Sequence, residues 1–169
     1  DLPALNYLEL NDIQTNNLVL SNLPSLDTLK LKEANIGSAF TFQNIPVETI
    51  ELDYVKTLSN ITFSNLPNIK NLSLINFYSY IQTLNLINIP TLESFTLLGN
   101  SSQPNLTNLN LSDFESLQSI TVQYGLSNLT LNNLPNLTSL NTSHNKFTTL
   151  NLVSLPSLTE FTSNFNKYV

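Results

Sequence analysis

His144 is the only histidine of the chain and stands in Thr142-Ser143-His144-Asn145. An imidazole needs partners to act as a base or a metal ligand. No cysteine is present and no acid lies near it in sequence, so a nucleophilic triad or a zinc site lacks its second member. Glu48, Glu51 and Asp53 form the densest acidic group, a pattern that calcium binding or proton transfer could use. A surface charge ladder accounts for it better, as the strand register below indicates. Three glycines are too few to suggest a phosphate-binding loop. The chain is therefore expected not to be an enzyme and to need no cofactor or metal.

The remaining chemistry is that of modification. Asn-x-Ser/Thr triplets, the acceptors of N-linked glycans, begin at Asn60, Asn71, Asn100, Asn105, Asn110, Asn128, Asn136 and Asn141. With 27 Asn and 37 Ser plus Thr in 169 residues, chance alone supplies about six such triplets. Their placement at outward or corner positions matters more, and Asn71, Asn110 and Asn141 are expected to be the most reachable.

Charged residues make up 11% of the chain, against about 25% in ordinary soluble domains. The surface must then be polar but mostly uncharged. All six basic residues are lysine and the net charge is −6, which leaves no basic field for nucleic acid or anionic lipid. No apolar run approaches the roughly 18 residues of a membrane-spanning helix.

These side chains are positioned by a repeat. Leu2-Pro3, Leu23-Pro24, Ile45-Pro46, Leu66-Pro67, Ile89-Pro90, Leu134-Pro135 and Leu155-Pro156 recur, with Phe114-Glu115 filling the one missing slot. Proline fixes φ and lacks an N–H, which suits a corner and not a ladder. After each corner comes an alternating segment, as in Leu26-x-x-Leu29-x-Leu31, Ile69-x-x-Leu72-x-Leu74 and Leu117-x-x-Ile120-x-Val122. About eleven residues later a second one follows, as in Leu106-x-x-Leu109-x-Leu111 and Leu126-x-x-Leu129-x-Leu131. Period-two alternation between polar corners predicts short strands. A unit of this length buries its apolar face only against its neighbours, so the chain is expected to be one solenoid over residues 1–169, with about eight coils and two parallel sheets.

The whole chain resembles the leucine-rich-repeat family. Its Leu-x-x-Leu-x-Leu-x-x-Asn spacing is matched by Leu92 to Asn100, by Leu137 to Asn145 with Thr142 in the third Leu place, and by Leu158 to Asn166. Ala34, Val55, Phe77 and Gly125 stand where the family has Asn. The resemblance implies a right-handed all-β solenoid that recognises proteins or mediates adhesion at the cell surface or outside the cell. Strands on both sides predict a nearly straight prism, about 40 Å long, because neither side is spread by helices.

Two residues past the second segment stand Asn22, Asn44, Asn65, Asn88, Asp113, Asn133 and Ser154. Strand parity points these seven inward, where they must be hydrogen-bonded, and a structural ladder is expected of them. Outward positions carry Ser73, Thr96, Thr121, Asn141 and Thr162 on one sheet and Thr41, Thr62, Asn85, Asn110, Thr130 and Asn151 on the other. Glu9, Lys30 and Glu51 fall in equivalent outward places, with Lys32 beside Asp53. The chain begins within a coil and stops at Lys167-Tyr168-Val169 with no cap signature. Two expectations follow: a segment of a longer repeat protein, or a subunit that associates end to end into a glycosylated fibril or surface layer.

Overall fold

The computed structural model describes residues 2–43, 45–56, 60–77, 81–99 and 106–167. Among them the chain is entirely β, with no helix. The first strand of each coil is β1 (Tyr7–Asn11), β3 (Thr28–Lys32), β5 (Thr49–Asp53), β7 (Asn71–Phe77), β9 (Ser94–Gly99), β11 (Ser119–Gln123), β13 (Ser139–Asn141) or β15 (Glu160–Thr162). These eight lie side by side in chain order as one parallel sheet. The second strands are β2 (Gln14–Ser21), β4 (Asn35–Gln43), β6 (Asn60–Ser64), β8 (Thr83–Ile87), β10 (Asn108–Ser112), β12 (Asn128–Asn132) and β14 (Thr149–Val153). The molecule is a parallel β-solenoid.

Register follows from the alternation. Leu8, Leu29, Ile50, Leu72, Phe95, Ile120, Leu140 and Phe161 form one inward row of the first sheet, each paired with the next. Leu29, Ile50, Leu72, Phe95, Ile120 and Leu140 are buried, facing Ile61, Phe63, Leu109, Leu111, Leu129 and Leu131 from the second strands. A one-residue slip would turn a whole row outward, so the core pins the pairing.

The second side is less regular than the expected continuous sheet. Among the described residues it consists of three separate ladders, β2-β4, β6-β8 and β10-β12-β14. The longest pair, β2 and β4, also carries a register shift between Thr15 and Asn17. Partner residues on successive coils are 20 to 25 positions apart. The first sheet is continuous across all eight strands and has one irregularity, a register shift between Ile75 and Phe77 where β7 pairs with β9.

The Leu-Pro corners are hydrogen-bonded turns. The N–H of Leu26 donates to the carbonyl of Leu23, and Leu5, Ile69, Leu92, Leu117, Leu137 and Leu158 repeat that bond to the residue three before each. Proline therefore holds the second position of the turn, where its φ is already correct.

Candidate interaction surface

The described corners hold residues with positive φ, in two columns. One column runs Asp12, Glu33, Tyr54, Asn76, Tyr124, His144 and Phe165; the other runs Asn22, Asn65, Asn88, Asp113, Asn133 and Ser154. The N–H groups of Asp12, Glu33 and Tyr54 donate to the carbonyls of Lys32, Asp53 and Ile75 on the following coil, and those of Asn65, Asp113 and Asn133 to Ile87, Asn132 and Val153. The left-handed conformation thus carries the parallel hydrogen bonding around the bend.

This geometry corrects the inward ladder. Asn22, Asn65, Asn88, Asp113, Asn133 and Ser154 are exposed, because a positive φ breaks the strand alternation and turns the side chain out. Asn44 lies outside the described residues. The rung-to-rung bonding is nevertheless present on the solvent side: Asn88 Nδ2 donates to Asn65 Oδ1 at 2.9 Å, and Asn133 Nδ2 to Asp113 Oδ1 at 2.7 Å.

A second polar column uses the residue after each turn proline. Ser25 Oγ donates to the carbonyl of Pro3 at 2.6 Å, Thr91 Oγ1 to Pro67 at 2.8 Å, Asn136 Nδ2 to Glu115 at 2.7 Å and Ser157 Oγ to Pro135 at 2.6 Å. The sequence signal for it is a small polar residue immediately after Leu-Pro.

A buried asparagine lies in the turn after β13. Asn145 is only 2% exposed. Its Nδ2 donates to the carbonyls of Val122 and Thr142, both at 2.9 Å, while Oδ1 accepts the N–H of Leu126 at 3.1 Å. Every polar atom of that side chain is satisfied, which is what allows it inside. Ala34 and Val55 occupy the same place in earlier coils as buried apolar residues. Asn100 lies outside the described residues.

His144 sits in a polar turn, as its neighbours suggest, but its setting is aromatic. Its ring stacks between Tyr124 and Phe165, with centroids 4.9 Å apart on each side and ring planes within 17° and 13°. That spacing is the separation of neighbouring strands. No local pattern signals the contact, because the three residues become neighbours only once the coil lengths are known.

The outward face of the first sheet changes character along the axis. Its first three strands carry the charges: Glu9 pairs in register with Lys30, Lys30 with Glu51, and Lys32 with Asp53. Lys30 Nζ lies 2.9 Å from Glu51, while Lys32 Nζ reaches diagonally to Glu9 at 3.2 Å. Asp53 instead accepts a bond from Asn76 Nδ2 at 2.8 Å, and Glu48 pairs with Lys70 at 2.7 Å. The hydroxyl of Tyr7, and then Lys32 and Asn11, hold the Glu9 carboxyl at about 2, well below its ordinary value. The same contact with Glu9 raises the Tyr7 phenol, and Glu51 and Glu48 raise Lys30 and Lys70.

From β7 onward the outward rows are almost uncharged: Asn71 and Ser73, Ser94 and Thr96, Ser119 and Thr121, then Ser139 and Asn141, aligned in register. Ile75 and Leu98 flank them in a third row. A shallow depression of about 230 Å³ opens at the corner of the charged half, with Asp12, Glu33, Tyr54 and Lys56 on its walls. Lys56 Nζ stands 5.5 Å above the Tyr54 ring. Among the described residues, no three His, Asp or Glu side chains gather closely enough to hold a metal ion.

No family model, curated protein or solved structure matches this chain. Of the sequons, Asn60, Asn71, Asn110 and Asn136 are exposed and Asn128 and Asn141 half-buried, while Asn100 and Asn105 lie outside the described residues.

Proposed function

We propose that this chain is a non-enzymatic scaffold of leucine-rich-repeat type, right-handed and nearly straight, acting outside the cell or at its surface in protein recognition or adhesion. The observation that carries the reading is the eight-stranded parallel sheet, whose outward side chains stand in register rows from strand to strand. Seven strand spacings of about 4.8 Å give a face roughly 34 Å long. An array of that length suits a broad protein partner, and its Ser, Thr and Asn side chains can donate and accept hydrogen bonds without the desolvation cost of paired charges.

The recognition half is the uncharged stretch from β9 to β13. Three aligned hydroxyls along one row, Ser94, Ser119 and Ser139, stand beside Thr96 and Thr121 in the next. Placement outside the cell is supported by the six sequons at exposed or half-buried positions.

Cell adhesion to beads coated with the chain tests the proposal. Coated beads should bind cells above an albumin-coated control, and Thr96→Arg with Thr121→Arg should abolish the excess while leaving stability within about 0.5 kcal/mol. Adhesion no greater than that of the control, or unchanged in the double variant, would overturn it.

A further inference from the structure

The six described sequons differ in what the acceptor nitrogen is doing. Asn128 Nδ2 donates to Asn108 Oδ1 at 2.6 Å, and its Oδ1 accepts from Thr148 at 2.7 Å, so this amide is held between two coils. Asn136 Nδ2 belongs to the column behind the prolines and donates to the Glu115 carbonyl. Asn71 Nδ2 donates to Thr49 Oγ1 at 3.3 Å. Asn141 is half-buried, and the hydroxyl residue of its triplet, Ser143, is 5% exposed and accepts the N–H of Asn164.

Asn60 and Asn110 are different. Both are exposed, and in both the side-chain bond is made through Oδ1, which accepts from Thr83 at Asn60 and from Ser112 at 2.9 Å in Asn110. Among the described residues neither Nδ2 donates a hydrogen bond; Asn141 also bonds through Oδ1, which accepts the N–H of Ser143 at 3.0 Å, but it is half-buried. Both residues open strands or stand within strands of the second side, β6 and β10, and not of the eight-stranded sheet.

We infer that the folded protein carries its N-linked glycans at Asn60 and Asn110, on the second side, and keeps the eight-stranded sheet bare for its partner. The inference rests on the reading of the chain as an extracellular protein. The chemistry is a glycosyl transfer from a sugar activated as a diphosphate. Nδ2 forms a bond to the anomeric carbon, the carbon–oxygen bond to the diphosphate breaks, the diphosphate leaves with the electron pair, and one Nδ2 proton passes to the transferase's base. At Asn60 and Asn110 no described residue accepts the proton that is lost. At Asn128 and Asn136 the sugar would be attached to a nitrogen held against the neighbouring coil, so its bulk crowds that rung contact and a chain modified there is depleted from the folded population.

The test is site mapping of the full chain secreted from a eukaryotic host. The folded, monodisperse fraction is digested with and without prior enzymatic glycan removal, and each sequon peptide is weighed. Asn60 and Asn110 should carry glycan in most molecules, with Asn71, Asn128, Asn136 and Asn141 mostly bare. Unmodified Asn60 and Asn110, or equal occupancy on the eight-stranded sheet, would overturn the inference. Asn60→Gln with Asn110→Gln supplies a second readout: loss of the glycan mass with bead adhesion unchanged is the expected result, and lost adhesion would show that the second side belongs to the interface. Mapping as expected with no adhesion by any form would leave the glycan assignment standing and remove the recognition reading.

Discussion

The main-chain N–H of Asn145 donates to Oδ1 of Asn166 at 2.6 Å, linking two asparagines on successive coils inside the solenoid. Asn145 in turn supports the carbonyls of Val122 and Thr142 and the N–H of Leu126. Asn145→Ala would strip partners from four main-chain groups in a buried site, the carbonyl of Ser143 at 3.3 Å being the fourth. The expected cost is about 2–4 kcal/mol, read from the urea midpoint. A loss below about 0.5 kcal/mol would mean that the coil closes without this side chain.

Gly99 tests the closeness of two strands. A Cβ built there would lie 2.1 Å from the carbonyl oxygen of Tyr124, a main-chain atom that cannot rotate away. Gly37 offers the contrast, since its Cβ would meet the side-chain Oδ1 of Asn16 at 3.1 Å. Gly99→Ala should destabilise by about 2 kcal/mol or more and Gly37→Ala by under about 1 kcal/mol. Thermal melts of the two variants should fall in that order.

The left-handed corners carry a cost that glycine would remove. Glu33 has φ 49° and is exposed. Its corner bond, from its own N–H to the Asp53 carbonyl, does not need the side chain. Relief of the left-handed penalty, about 1–2 kcal/mol, outweighs the greater freedom glycine gives the unfolded chain. Glu33→Gly should therefore stabilise by about 0.5 kcal/mol, and Glu33→Val should destabilise by about 1 kcal/mol or more. Denaturant midpoints distinguish the signs.

Acid should act through Glu9. Its folded value of about 2 lies below the ordinary 4.5 because Tyr7, Lys32 and Asn11 all stabilise the ionised form. A depressed carboxyl contributes stability that is fully present above about 4.5 and disappears as pH falls towards about 2. Melting temperature followed across that window should decline less steeply in Glu9→Gln than in the parent. Parallel curves would show that this carboxyl does not link folding to pH.

Strand positions and the core were legible because alternation and burial express the same constraint: Leu29, Leu31, Ile50, Leu52, Leu72 and Leu74 lie where the pattern requires. The Leu-Pro corners were legible because proline presets its own turn. Parity failed one residue past the strand end, at Asn65 and Asn133, since a single left-handed residue resets which way the next side chain points. The ion pairs were half legible: register placed Lys32 beside Asp53, but a long side chain chooses among diagonal partners and went to Glu9. The stack of His144 between Tyr124 and Phe165 depends on coil lengths of 20 and 21 residues bringing three corners into line, and no local pattern states it.

Strands of the first sheet pair only with those one coil before or after, so bonded partners stay 20 to 25 residues apart along the chain. That is roughly 0.13 of its length, low for an all-β topology, and the entropy of closing each new loop hardly changes from one end to the other. Refolding can begin on any adjacent pair of coils and spread in both directions like a zip, each added coil templated by an edge already formed.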